Sequence, residues 1–169
     1  MSAERGEAMV RMEVSGVHLD ASTGSAVLVL AGDDDRILPI LIGLAEATSI
    51  AKELDEVELP RPLTHDLMID ALHSLSVSIA RVEVIDLRDD TYFAELVLSD
   101  AHGEEIRIDS RPSDAVALAL RADAPIFVDE KVLEQSRSAP QEIPAEADKE
   151  RWKKILEEMD PEDFGKYKM

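Results

Sequence analysis

Two acidic residues and an arginine lie close together around an arginine–proline step in the second half of the sequence. Asp109, Arg111 and Asp114 fall between a strand-like alternating pattern and an almost wholly apolar helical segment, 112–122. Proline is favoured in the first turn of a helix, and a carboxylate there is stabilised by the helix dipole. Asp114 is therefore predicted to begin a buried helix. Charged groups at such a position need partners, which a structural ion pair or a bound cation would supply.

A second polar group precedes a predicted amphipathic helix over residues 62–75. His65 and Asp66 fall in its first turn, Thr64 is a natural N-cap, and Arg61 stands just before it. Threonine and aspartate are both preferred at helix N-termini, so part of this pattern has an ordinary structural explanation. The same residue types could also contribute to a site, if the fold brings this helix start beside the other one.

Both segments carry an arginine–proline motif: residues 61–67 read RPLTHDL and residues 111–115 read RPSDA. Together they resemble the bifunctional nuclease domain family, small bacterial and plant proteins reported to degrade DNA and RNA. The resemblance runs from about residue 9 to residue 133. It implies a nuclease that hydrolyses phosphodiester bonds, with RNA and DNA as substrates, but it assigns no catalytic set.

Phosphodiester cleavage suits the side chains that these motifs and one further acid supply. Carboxylates can hold Mg²⁺ or Mn²⁺ ions that activate water, and arginine offsets phosphate charge. Alternatively, the histidine could act without a metal as a general base on RNA, which supplies its own 2′-hydroxyl nucleophile. The candidate catalytic residues are Asp114, Asp109, His65, Asp66 and Glu46; the candidate substrate-binding residues are Arg111, Arg61 and Thr64; the candidate metal ligands are Asp109 and Asp114.

The order of predicted elements repeats after sixty-eight residues without a gap. Three strands and a helix over residues 10–54 share apolar positions with those over residues 78–122, and the offset places Glu46 opposite Asp114. Such a repeat indicates an internal duplication. Because the turns are too short for parallel crossovers, the sheet should be mainly antiparallel. The predicted fold is α+β, with two β-β-β-α repeats related by a pseudo-twofold axis and a C-terminal helical tail.

Composition divides the chain into one main domain and short flanking segments. Residues 1–8 are predicted to be a flexible N-terminus, and residues 9–133 the bifunctional nuclease-like domain. Residues 134–147, which contain two prolines, are predicted to be a linker, and residues 148–169 a short helical tail that carries Trp152.

The net charge favours a different class of function. The chain has 37 acidic and 18 basic residues, a formal charge of −19, whereas nucleic-acid binders usually present a basic face. The alternative to a nuclease is therefore a non-catalytic oligomeric or regulatory module whose acidic surface contacts a basic protein. The absence of cysteine excludes disulfides, thiolate metal sites and a cysteine nucleophile.

Assembly and location follow from the apolar pattern. The strands at 26–30 and 96–98 are expected to expose edges that need cover, which predicts a homodimer or a larger homo-oligomer. No N-terminal apolar run resembles a signal peptide, and no stretch approaches membrane-spanning length. We therefore expect a cytoplasmic protein with no membrane partner.

Overall fold

The computed structural model describes residues 8–20 and 24–137. The predicted N-terminal segment, apart from Ala8, and the predicted tail lie outside these residues. The described strands are β1 (Met9–Asp20), β2 (Ser25–Gly32), β3 (Ile37–Ile42), β4 (Ser78–Arg88), β5 (Thr91–Ser99), β6 (Glu105–Ser110) and β7 (Ile126–Asp129), and the described helices are α1 (Leu44–Leu54), α2 (Thr64–Ser74), α3 (Pro112–Ala122) and α4 (Glu130–Arg137).

The strands form one seven-stranded sheet in the order β3-β2-β1-β7-β4-β5-β6. Every neighbouring pair is antiparallel except β4 and β7, which are parallel. β7 follows α3 in the chain and inserts between the two three-stranded groups, so it joins them into a single sheet. The predicted α+β fold with a mainly antiparallel sheet is confirmed.

The two strand–helix units correspond closely in their third strand and helix. α3 has the same length as α1 and begins at Pro112, 68 positions after Leu44. β2 pairs with β3 in the same relative register as β5 with β6, since the offset carries the Leu28–Ile40 pair onto Leu96–Ile108. The first hairpins differ, because β1–β2 has one register shift and β4–β5 has two.

Aliphatic side chains from one face of the sheet and from the helices build a single core. Leu28, Leu38, Ile50 and Leu118 are among the largest fully buried side chains, and Tyr92 is the one buried aromatic residue in the described part of the chain. α3 is buried from its first turn, as its apolar sequence predicts, and it packs against both α1 and α2. The starts of the three helices thereby come together.

The prediction that strands 26–30 and 96–98 expose edges is wrong. These segments belong to β2 and β5, and each of these strands pairs on both sides within the sheet. The continuous apolar runs reflect burial on both faces, which is typical of internal strands. The edges of the sheet are β3 and β6 instead.

The predicted N-cap at Thr64 is also wrong. α2 begins at Thr64, its N-cap is Leu63, and the cap makes no side-chain hydrogen bond of its own. The backbone N–H of Leu63 instead donates to Oδ2 of Asp66, at 2.8 Å. This acid thus satisfies one of the amides that a helix start leaves without an intrahelical partner.

At the other end of the domain, α4 continues to Arg137, beyond the predicted boundary at residue 133. Val132 and Leu133 are buried in the core, so the helix belongs to the domain. The remainder of the predicted linker lies outside the described residues. Among the helices of residues 8–20 and 24–137, none has the length and apolar character needed to cross a membrane.

Candidate functional site

The first turns of α1, α2 and α3 each contribute a titratable side chain to one junction: Glu46, His65 and Asp114. A residue with an extended backbone immediately precedes each helix: Gly43 before α1, Leu63 before α2 and Arg111 before α3. An acid at this position is favoured by the helix dipole.

A hydrogen-bonded chain runs through the imidazole of His65 and joins the three helices. Its Nε2 lies 3.0 Å from Oδ1 of Asp114, and its Nδ1 lies 2.8 Å from Oγ of Ser49. An ionised carboxylate only accepts hydrogen bonds. Nε2 therefore carries a hydrogen and donates a hydrogen bond to Asp114. The imidazole is 14% exposed, and both of its nitrogens are occupied.

Arg111 holds two carboxylates from different helices. Its Nε donates to Oδ2 of Asp114 at 2.7 Å, and its Nη1 lies 3.0 Å from Oε1 of Glu46. The guanidinium side chain is 66% exposed, whereas the two acids are 28% and 18% exposed. The arginine therefore covers the carboxylates on their solvent side and remains accessible to a ligand.

A second arginine, Arg121, closes the network from within. Its side chain is only 4% exposed, and its Nε donates to Oδ1 of Asp66 at 2.6 Å. Its Nη2 donates to both the backbone oxygen and the Oγ of Ser49, at 3.3 and 3.1 Å. Lys52 adds a weaker contact to the same carboxylate, at 3.5 Å. Asp66 is thus linked to Asp114 through buried polar groups.

The electrostatics of the network favour ionised acids. Burial raises the pKa of Asp114, but hydrogen bonds from Arg111 and His65 outweigh that effect and hold the pKa below its usual range. Burial likewise raises the pKa of Asp66, and the hydrogen bonds from Arg121 and from the Leu63 amide more than offset it, so this pKa is also lowered. Both carboxylates are charged at neutral pH.

The absence of a side chain at Gly43 leaves room for the carboxylate of Glu46. A Cβ atom built on Gly43 would collide with Oε2 of Glu46, so this carboxylate folds back over the residue that precedes α1. The backbone of Gly43 is extended, with φ −74° and ψ 161°, which any residue can adopt. Glycine at this position therefore allows the close approach of Glu46, and no unusual backbone conformation requires it.

Asp109 does not join the site, contrary to the expectation that it pairs with Asp114. It lies on β6 directly opposite Glu95 of β5, and cross-strand partners share one face of the sheet. The second carboxylate that Arg111 holds is Glu46, which the repeat places opposite Asp114. No group of three or more His, Cys, Asp and Glu side chains that could hold a metal is present within residues 8–20 and 24–137.

Arg61 and Thr64 are exposed at the entrance to α2. Arg61 lines an open cleft of about 480 Å³, together with Lys52, Glu53 and Asp66. It makes no hydrogen bond or ion pair with any residue of the described part of the chain. Its positive charge is therefore available to a ligand, although it lies on the Asp66 side of the network and not beside Arg111.

A smaller cleft of about 310 Å³ lies on the other side, next to Arg111 and Glu46. Its walls include Leu41, Thr91 and Pro112, so a charged group stands beside apolar surface. This combination can accommodate a ligand that has both an anionic group and a flat or apolar part.

Sequence reasoning missed Ser49 and Arg121. Both have largely buried polar side chains on their helices, and their spacing carries the signal. Arg121 follows Asp114 by seven positions and Ser49 follows Glu46 by three, which places each pair on one face of its helix. Polar residues that recur on one face of a buried helix indicate a buried network.

Comparison with known proteins finds a matching domain family and an uncharacterized relative. The family model of the bifunctional nuclease domain matches residues 27–141. An uncharacterized protein of Mycobacterium tuberculosis is 39% identical over 168 residues, which covers 92% of this chain and 98% of that protein.

More distant matches are plant proteins. Bifunctional nuclease 1 of Oryza sativa subsp. japonica is 26% identical over 108 residues, 63% of this chain and 33% of the rice protein. Bifunctional nuclease 2 of Arabidopsis thaliana is 27% identical over 110 residues, 64% of this chain and 33% of that protein. The match thus covers one third of each plant protein. Since the family model spans well over half of the sequence, the chain belongs to the bifunctional nuclease domain family.

Proposed function

We propose that the chain is a nuclease that hydrolyses phosphodiester bonds in RNA and DNA at the junction of α1, α2 and α3. The observation that carries the proposal is the exposed guanidinium of Arg111, which covers two acids, Glu46 and Asp114. Guanidinium groups bind phosphate through two parallel hydrogen bonds. A substrate phosphate would therefore compete with these carboxylates for Arg111.

This competition gives Asp114 its role. When Arg111 turns to the phosphate, Asp114 loses the hydrogen bond that lowers its pKa, and the carboxylate becomes a better base. It then accepts a proton from the attacking water as the water oxygen bonds to phosphorus. The phosphorus–oxygen ester bond breaks, and the leaving oxygen takes a proton from solvent.

His65 is a positioning residue in this proposal and not the general base. Both ring nitrogens already have partners, Ser49 and Asp114, so neither is free to take a proton from substrate. The imidazole fixes the orientation of the carboxylate, and Ser49 in turn fixes the imidazole. This argues against the metal-free scheme in which the histidine activates the 2′-hydroxyl of RNA.

A divalent cation, Mg²⁺ or Mn²⁺, is proposed to assist. Magnesium usually binds through one or two carboxylates, several waters and substrate phosphate oxygens, so a site does not need three protein ligands. Glu46, the second carboxylate beside Arg111, would supply the protein oxygen, because Asp114 must stay free of the cation to accept the proton. The cation would neutralise phosphate charge that the acidic chain otherwise repels.

We also propose that β1-β2-β3-α1 and β4-β5-β6-α3 arose by duplication and are related by a pseudo-twofold axis. Support comes from the equal lengths and spacing of α1 and α3 and from the shared register of the second and third strands. The duplication accounts for the site having two acids, since Glu46 and Asp114 occupy equivalent first-turn positions.

The second candidate function, a non-catalytic interaction module, is favoured by one observation. The carboxylates of Asp66 and Asp114 have compensating cationic or hydrogen-bonded partners within the chain, as a purely structural network would. With a net charge of −19, the surface would then serve to contact a basic protein. On this reading the network stabilises the fold and cleaves nothing.

The experiment that separates the two functions measures cleavage of end-labelled single-stranded RNA and DNA by the purified chain. It is run in EDTA, in Mg²⁺ and in Mn²⁺. The nuclease proposal predicts cleavage of both nucleic acids that depends on the cation. Arg111→Gln should raise the substrate concentration needed for half-maximal rate about tenfold or more.

A matched control guards against contaminating nuclease. Arg11→Gln removes an exposed arginine of β1 that lies near the C-terminal end of α3, at the opposite end of this helix from Asp114, and it should leave the rate unchanged. Equal loss of rate in both variants, or no cleavage under any of the three conditions, would contradict the proposal and favour the interaction module.

A further inference from the structure

The edge strand β6 is exposed on both faces. Ile106 and Ile108 are 45% and 44% exposed, although their cross-strand partners on β5, Leu98 and Leu96, are buried. Within the part of the chain that the structure describes, the apolar stripe of the core therefore continues onto an uncovered edge. A long edge strand with apolar side chains and open backbone groups is a template for pairing with another strand.

The opposite edge of the sheet is protected. β3 has Pro39 at its centre, and proline has no backbone N–H to offer a further strand. The carbonyl oxygen of Pro39 also accepts a hydrogen bond from the hydroxyl of Tyr92, at 3.4 Å. β6 contains no proline, so it is the unprotected edge of the sheet.

Charge along β6 is unbalanced within one copy of the chain. Asp109 lies directly opposite Glu95, and like charges at such positions are destabilising. Arg107 offsets Glu95 at 2.8 Å and Glu83 at 2.7 Å. Asp109 has no ion-pair or hydrogen-bond partner for its side chain among the described residues.

We propose that β6 pairs antiparallel with β6 of a second copy, around a twofold axis at Ile108. This register places Ile108 opposite Ile108 of the second copy. It thereby continues the apolar row of Leu96 and Ile108 across the axis. It also places Asp109 opposite Arg107 of the second copy, twice by symmetry. The unpaired acid thereby gains a cation, and the exposed Ile108 gains an apolar neighbour.

The neighbouring registers are less favourable. An axis at Arg107 would place two arginines opposite each other and would pair Glu105 with Asp109 of the second copy, so like charges meet in every outward row. An axis at Ile106 would pair Glu105 with Arg107 of the second copy, but Glu105 already has Arg81 at 2.6 Å, and Asp109 would lie beyond the paired residues. The need of Asp109 for a cation therefore selects Ile108 as the centre.

Light scattering of the full chain tests the assembly. The proposal predicts twice the 18.6 kDa chain mass at micromolar concentration. Ile108→Arg, which places two cations at the axis, should restore the mass of a single chain. A wild-type protein of single-chain mass would overturn the proposal. Such a mass is expected if residues 138–169 cover β6 in place of a second copy.

Cysteine cross-linking tests the register, since the chain has no cysteine of its own. Opposed residues of antiparallel strands lie about 4.5–5.5 Å apart between Cα atoms, within the range that a disulfide spans. Under mild oxidation Ile108→Cys should form a covalent dimer.

Ile106→Cys is the matched control, because it is equally exposed and on the same face. In the proposed register its two copies are displaced by four residues along the strand, about 13 Å, which is too far for a disulfide. A covalent dimer from Ile106→Cys but not from Ile108→Cys would overturn the proposed pairing, and so would the failure of both to cross-link.

Discussion

Nε2 of His65 lies 3.0 Å from Oδ1 of Asp114, which joins residues 49 positions apart in the sequence and fixes the start of α2 against the start of α3. Because the carboxylate accepts and Ser49 Oγ occupies Nδ1, the geometry specifies which nitrogen carries the proton of the neutral ring. We predict the Nε2–H tautomer for His65. Long-range ¹H–¹⁵N spectra at pH 8 would measure it, and a neutral ring protonated at Nδ1 would contradict the network.

Removing Arg121 should destabilise the fold. Arg121→Met keeps much of the side-chain volume but leaves Asp66 with only the Leu63 amide and the weaker contact from Lys52. Breaking a buried ion pair from one side leaves an uncompensated charge, so we expect the free energy of unfolding to fall by about 3 kcal/mol. Urea denaturation measures this change.

The matched variant for Arg121→Met is Arg88→Met. Arg88 is 62% exposed and pairs with Asp86 on the surface, so its loss should cost under about 1 kcal/mol. Similar losses in the two variants would show that the Arg121–Asp66 pair contributes nothing beyond an ordinary surface contact.

The free energy of unfolding should depend on pH through the carboxylate of Asp66. Its pKa is lowered in the folded chain from the ordinary value of 3.8. The stabilisation is therefore complete above about pH 5 and is lost as the pH falls through 3.8 towards the folded value. Wild type should lose more stability than Asp66→Asn between pH 5 and pH 3 in urea titrations. Parallel losses in the two proteins would argue against the assigned contacts.

Gly43→Ala should displace Glu46 without unfolding the chain. The added Cβ collides with the end of a flexible side chain, and the backbone at Gly43 suits alanine. We therefore expect a stability change under about 1 kcal/mol, with cleavage reduced as much as in Glu46→Gln. Gly16→Ala is the control, since its Cβ meets nothing closer than the His18 ring at 3.7 Å. A full cleavage rate in Gly43→Ala beside a slow Glu46→Gln would contradict the role given to the glycine.

Sequence pattern was sufficient for the strands and for the buried α3. Alternating apolar residues and the Pro112 step are local features of the sequence, so the elements that they form can be predicted without knowledge of tertiary contacts. Strand order is not local: the runs in β2 and β5 mark strands buried on both sides, whereas the edges proved to be β3 and β6. Pro39 is a local signal in β3, because proline within sheets is confined to edge strands, strand starts and bulges.

The candidate site was predictable in part for the same reason. The motifs placed His65, Arg111 and Asp114 at helix starts, and packing of α2 against α3 brought them into contact. Asp109 makes no contact with the network among the described residues, because proximity in sequence does not determine the face of a strand and β6 places this residue opposite Glu95. Ser49 was missed because one serine within a helix is common, and only its spacing from Glu46 links it to the site.

The central claim is that Asp114 takes part in phosphodiester cleavage and is not merely a structural partner of Arg111. Asp114→Asn keeps the side-chain shape and should cost about 1–2 kcal/mol of stability. The control Asp70→Asn changes an exposed acid of α2 whose carboxylate makes no contact with the network.

The deciding measurement is the single-turnover rate of RNA cleavage per folded molecule, with Mg²⁺ or Mn²⁺ present. The account predicts that Asp114→Asn lowers this rate about 100-fold or more while Asp70→Asn leaves it unchanged. An Asp114→Asn protein that is less stable but cleaves at the wild-type rate per folded molecule would contradict it.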